Sequence, residues 1–294
     1  MPDAITTFND FETCRFHVGD IEFCGKYWRQ FSPKPSPRKI IALHGWLDNC
    51  ASFDVLAPRL NADVLCLDLA GHAGSGDRSH LGAYNIWLDI PEILAIADQL
   101  GWQSFELLGH SRGAAIAFLL AATFPQRVLA LICLDGIFPL VALAEKAPEQ
   151  LFHSINAVNK QLAKKRNAYA SFERAVLARE SGMFPLANID AHMLAQRGVI
   201  VEGNEFFWRY DAKLKAPSEF RLTSDQLVAF ADAIVCPLLL LLASDGIFLN
   251  NTEALMLLEN YSTWTVKTLE GGHHFHMHEQ GETIANEINR FFTD

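Results

Sequence analysis

The chain reads as an α/β protein: one mostly parallel sheet flanked by helices, with a helical insertion late in the sequence. Three observations predict this. From Lys39 onward, short β-branched or leucine-rich runs alternate with longer amphipathic stretches, the βαβ rhythm of a parallel sheet. Half of the 294 residues are apolar, enough to bury a large core. Residues 137–222 then break the rhythm, offering helical stretches without a convincing central strand. The expected division is a core of residues 1–136 and 223–294 around a helical cap of residues 137–222.

Taken in order, "TCRFHV" and "IEFCGKYW" alternate in polarity and meet at the turn-forming pair Gly19-Asp20, which predicts an antiparallel hairpin at a sheet edge. Strands follow at "KIIALHG", "ADVLCLDL", "SFELLGH" and "VLALICLD", separated by "SFDVLAPRL", "IWLDIPEILAIADQLG" and "RGAAIAFLLAATF" as helical stretches. Inside the insert, "INAVNKQLAKKRNAYASFERAVLARE" reads as helix. Thr223 and Gln226 form a T-x-x-Q capping box opening "SDQLVAFADAI". The sheet pattern resumes with "CPLLLLLASD" and "WTVKTLEGG" before the terminal helix "ETIANEINRFF".

Composition excludes several partner classes. A net charge of −10 and the lack of a basic cluster argue against nucleic acid, whose phosphates are bound by grouped Lys and Arg. The longest apolar run, "IVCPLLLLLA", is about half the length a membrane-spanning helix needs and carries a proline, so it reads as a buried central strand. The six cysteines are scattered without a CxxC pair and are expected to be free thiols in a reducing compartment. "MPDAITTFND" has neither the basic nor the apolar region of a signal peptide, so a cytoplasmic location is expected. The insert is mildly basic and the core strongly acidic, which solvated helix faces would explain.

In parallel sheets, ligands bind beyond the carboxyl ends of the strands, so strand ends are where chemistry is sought. Gly109-His110-Ser111-Arg112-Gly113 is a G-x-S-x-G match that ends a strand and opens an apolar helix. A serine on so sharp a turn is pushed out of the sheet, and small residues must flank it because a Cβ would strike the neighbouring strand or helix. An attacking serine needs donors for the developing oxyanion. "ALHGWLDN" offers them at an earlier strand end, where the Trp46 N–H joins that of Arg112, and His44 is expected to pack beneath the loop.

"GGHHFHMHEQ" gathers His273, His274, His276 and His278 near the chain's end. Imidazoles serve as metal ligands and as general bases alike, but no H-E-x-x-H helix or cysteine ligand set accompanies these four. A histidine base needs a carboxylate to fix its tautomer. "DGIF" ends two strands, at Asp135 and again at Asp245, and both precede His273, so chain order leaves the acid open.

These motifs, in this order and over nearly the whole chain, resemble an α/β-hydrolase. Within that superfamily, "LHGWLDNCASFDVLAPRL", "LLGHSRG" and "RLTSDQLVAFADAIVCPLLLL" resemble the serine hydrolase-like group. Arg112 and Ala114 depart from the usual elbow, and "GHAGSGDRS" from the usual "GHGxS" run. The resemblance implies Ser111 as nucleophile, His273 as base and no metal or cofactor, and it favours Asp245 over Asp135 as the acid. The implied activity is cleavage of a carboxylic ester or related small acyl substrate, with C–C bond hydrolysis or non-catalytic ligand binding as rivals. Trp46, Phe138 and Phe248 are candidates for an apolar substrate pocket, as are Phe206, Phe207 and Trp208.

Overall fold

A computed structural model describes residues 11–30 and 38–293; the N-terminal segment read above for a signal peptide lies outside them. The edge hairpin forms from β1 (Phe11–Val18) and β2 (Ile21–Trp28), turning at Gly19, whose φ of 62° suits a residue without a Cβ. β3 (Lys39–Leu43) and β4 (Asp63–Leu67) follow, with only two short 3₁₀ turns between them. "SFDVLAPRL" is therefore not a helix. Pro58 sits within the second turn, and Asn49 caps the first by accepting from Ala51 N–H.

α1 (Asp89–Gln99), β5 (Phe105–His110), α2 (Arg112–Thr123) and β6 (Val128–Leu134) complete the first βαβ run. The chain then leaves the sheet for α3 (Ala147–Leu162), α4 (Phe172–Glu180), α5 (Asn188–Gly198) and a two-stranded hairpin of β7 (Val199–Glu202) and β8 (Glu205–Trp208). The insert is thus not purely helical, and the long stretch expected to be helix is broken between Leu162 and Phe172. α6 (Ser224–Asp232) opens with the expected capping box, Thr223 Oγ1 accepting from Gln226 N–H while the Gln226 side chain accepts from Thr223 N–H. β9 (Leu238–Asp245), α7 (Thr252–Leu258), β10 (Thr265–Gly272) and α8 (Gly281–Phe291) close the fold.

Eight strands form one sheet in the order β1-β2-β4-β3-β5-β6-β9-β10. β2 is antiparallel to both its neighbours, and every later pairing is parallel. β3, β5, β6 and β9 are central, which is why their sequences are apolar on both faces. One core layer packs α1 and α2 on one face, and a second packs α8 on the other. Because β3, β5, β6 and β9 run parallel, the segments following Leu43, His110, Leu134 and Asp245 emerge together. Among the described residues no helix is long and apolar enough to cross a membrane, and all six cysteines are free.

Candidate active site

Ser111 stands between β5 and α2 with φ 52° and ψ −115°, a conformation that costs a non-glycine residue about 1–3 kcal/mol. The turn is locked by its neighbours. Ser111 N–H donates to Leu134 O at 3.1 Å, and a Cβ on Gly109 would lie 2.5 Å from the backbone of Ala114. A Cβ on Gly113 would lie 2.0 Å from Leu43 O, so both motif glycines are needed for α2 to approach β3 and β5.

Leu47 (φ 59°) and Asp135 (φ 41°) share this left-handed backbone at the ends of β3 and β6. Strain of this kind collects at functional sites. In the β3 loop, His44 lies fully buried; its Nδ1 donates to Gly45 O and its Nε2 accepts from Leu69 N–H. His72 Nε2 accepts from Leu47 N–H, and Trp46 Nε1 donates to Leu214 O at 2.7 Å. Arg112, as the first residue of α2, has no intrahelical acceptor for its own N–H. Its guanidinium is turned away to Asp89, which also holds Arg78.

The carboxylate that meets His273 is Asp135, not Asp245. His273 Nδ1 donates to Asp135 Oδ2 at 2.6 Å, and Asp135 is wholly buried. Asp245 is exposed and accepts only from the hydroxyl of its neighbour Ser244 among the described residues. The duplicated motif has divided its work. Ala243 N–H and Ile247 N–H donate to the two oxygens of Asp135, and a Cβ on Gly246 would stand 2.3 Å from them. The end of β9 and the second "DGIF" together thus supply a backbone cradle for the carboxylate of the first. No periodicity reveals this, because it depends on β6 and β9 being neighbours in the sheet.

With Nδ1 donating to a carboxylate, neutral His273 keeps a lone pair on Nε2, the form a general base requires. His110, beside Ser111, ties the two together by donating from Nε2 to His273 O at 3.0 Å. The other histidines of the late cluster go elsewhere. His274 meets Asp48, His278 meets Asp190, and His276 is buried against Phe53 and His110.

Ser111 and Asp135 open onto a cavity of about 1360 Å³, whose apolar wall includes Trp46, Leu119, Phe138, Leu214 and Phe248. Phe206, Phe207 and Trp208 are not on it: they lie on β8, where Trp208 packs against a small cluster built from the insert and Met277 and donates to Ala175 O.

A family model described as alpha/beta hydrolase fold matches residues 39–277. The chain is 28% identical to a serine hydrolase-like protein of Dictyostelium discoideum over 97% of its length and 82% of the relative's. It is 30% identical to a Drosophila melanogaster protein named "Probable serine hydrolase", covering 92% of this chain and 84% of that one. Among solved structures, a hypothetical protein from Pseudomonas aeruginosa PAO1 superposes with a TM-score of 0.88 at 36% identity, covering 96% of this chain and 98% of the other.

Proposed function

The chain belongs to the α/β-hydrolase family, and on that premise we propose that it is a serine hydrolase cleaving a carboxylic ester or related acyl substrate through an acyl-enzyme. One observation carries the reading: a strained serine at a strand-to-helix turn follows directly on His110, which donates to the carbonyl of His273, a buried histidine whose Nδ1 is held by a buried carboxylate at 2.6 Å. In this mechanism Ser111 Oγ attacks the acyl carbon as His273 Nε2 takes its proton. The imidazolium, stabilised by Asp135, then protonates the leaving group, and water repeats the sequence to release the acid. Trp46 and Arg112 N–H groups bind the oxyanion; Leu47 N–H, already given to His72, is not available for it.

The insert serves as a cap, contributing Met183, Leu214 and Phe220 to the cavity, while Trp46, Phe138 and Phe248 are the core's apolar contacts. A volume above the usual range of about 300–1,000 Å³ favours a long or bulky acyl group. The free cysteines fit work in a reducing compartment such as the cytoplasm.

A fluorophosphonate probe tests the reading. It should label the wild-type chain and not Ser111→Ala. A wild-type protein left unlabelled beside a reactive serine hydrolase in the same tube would end it.

A further inference from the structure

Beneath the candidate triad lies a second polar cluster that the proposed reaction does not use. Asp48, His110 and His274 are all buried, and one ligand atom from each lies within 4.8 Å of the others. Because the His273 carbonyl can only accept, His110 must carry its proton on Nε2. In the neutral ring that leaves Nδ1, buried with the rest of the side chain, as a bare lone pair. That lone pair faces Asp48 Oδ2 at 3.7 Å, with no hydrogen-bond partner. Asp48 has Arg179 and His274 as partners, but the His110 lone pair is left unsatisfied beside its carboxylate, and a cation between the two would satisfy it. His274 Nε2 lies 3.1 Å from the same carboxylate oxygen.

We propose that Asp48 Oδ2, His110 Nδ1 and His274 Nε2 form a binding site for a divalent first-row transition-metal ion, with zinc as the probe. Two imidazoles and one carboxylate are a ligand set that zinc accepts, and the hydrogen bond from His110 Nε2 to the His273 carbonyl is the outer contact that orients a ligating ring. The site has a built-in competitor. Arg179, from the insert, donates to Asp48 Oδ1 at 2.7 Å, and its Nη2 lies 3.2 Å from His274 Nε2. A guanidinium there repels an incoming dication. The proposal does not depend on the protein being a hydrolase, and its test does not read catalysis.

The experiment uses the full untagged chain, stripped with EDTA, and follows zinc by calorimetry and cobalt(II) by its visible absorption. One equivalent should bind, with a cobalt spectrum of low coordination number. Asp48→Asn and His274→Gln should each weaken binding at least about 100-fold, more than the loss of an outer contact costs. Arg179→Gln should tighten it about tenfold or more by removing the competing charge. Binding by wild type that is absent at micromolar metal, or unchanged in both ligand variants when circular dichroism shows them folded, overturns the site. Should neither ligand variant fold, Arg179→Gln decides, and unchanged or weaker affinity in that variant overturns it too.

Discussion

A carboxylate that orients a catalytic histidine must lie against the ring nitrogen remote from the nucleophile, and among the described residues only one of the two "DGIF" aspartates meets the proposed base His273 at all. Asp135→Asn should therefore lower kcat about 10⁴-fold, the loss that the corresponding substitution causes in a serine protease, where an amide holds the wrong tautomer. Asp245→Asn should retain near wild-type kcat, its side chain being exposed. A dead Asp245→Asn enzyme with a live Asp135→Asn one would reverse the assignment. The proposed serine and histidine stand out in the sequence because their motifs are local. The acid does not, since two identical tetrapeptides at two strand ends differ only in where the sheet places them. His72 offers a second test. Burial holds its pKa well below the usual 6.5, and Leu47 N–H occupies its Nε2. A folded-state pKa below the unfolded one gives stability that is complete above pH 6.5 and is lost as the pH falls beneath it. His72→Gln removes that proton uptake. The variant should be less stable than wild type at pH 8, and the gap should narrow below pH 6.5 by up to about 1.4 kcal/mol per pH unit. A gap in urea unfolding free energy that is constant or widening from pH 7 to pH 5 would refute this.

The junction of β5 with α2 is set by glycines whose requirement is steric, while the β1–β2 turn is set by one whose requirement is conformational. A Cβ on Gly113 would meet the Leu43 carbonyl at 2.0 Å, and a backbone group cannot rotate aside as a side chain can. Gly113→Ala should cost more than about 3 kcal/mol, the upper end of ordinary overpacking. Gly19→Ala meets nothing within 4 Å and should cost only about 1–2 kcal/mol, for its positive φ. Denaturant midpoints compare the two, and a Gly113→Ala midpoint equal to that of Gly19→Ala would show that α2 shifts freely. Five of the six strands from β3 to β10 outside the insert were readable because interior strands of a parallel sheet are apolar on both faces, while β10, at the sheet edge and largely exposed, shows only an alternating pattern. The insert was harder. "VIVEGNEFFW" carries a hairpin signal in Gly203-Asn204 between two apolar runs, yet each strand is only four residues long and amid helices the period of two is too brief to stand out.

The whole molecule is held together across a charge boundary that composition showed only as a basic insert and an acidic core. Its meaning is not solvated faces alone, because arginines of the insert meet aspartates at the core's strand ends. Arg197 on α5 binds Asp68 through Nε and Nη2, at 2.7 to 3.0 Å, and Asp68 is fully buried beyond β4. Arg209, after β8, meets Asp77 at 2.9 Å, but both side chains are substantially exposed, at 28% and 48%. Distance alone would rate these pairs alike, and burial separates them. Removing Arg197 leaves the fully buried Asp68 charge with only the N–H groups of Cys50 and Gly74 as donors among the described residues. Stranding a buried charge costs about 3–5 kcal/mol, whereas an exposed pair is worth at most about 1 kcal/mol. Arg197→Ala should therefore lower the melting temperature by many degrees, and Arg209→Ala by few. The double variant Arg197→Ala with Asp68→Asn should recover part of the loss, because the uncompensated charge goes with the second substitution. Equal melting temperatures for Arg197→Ala and Arg209→Ala, or no recovery in the double variant, would mean that the buried pair does not fasten the insert to the core.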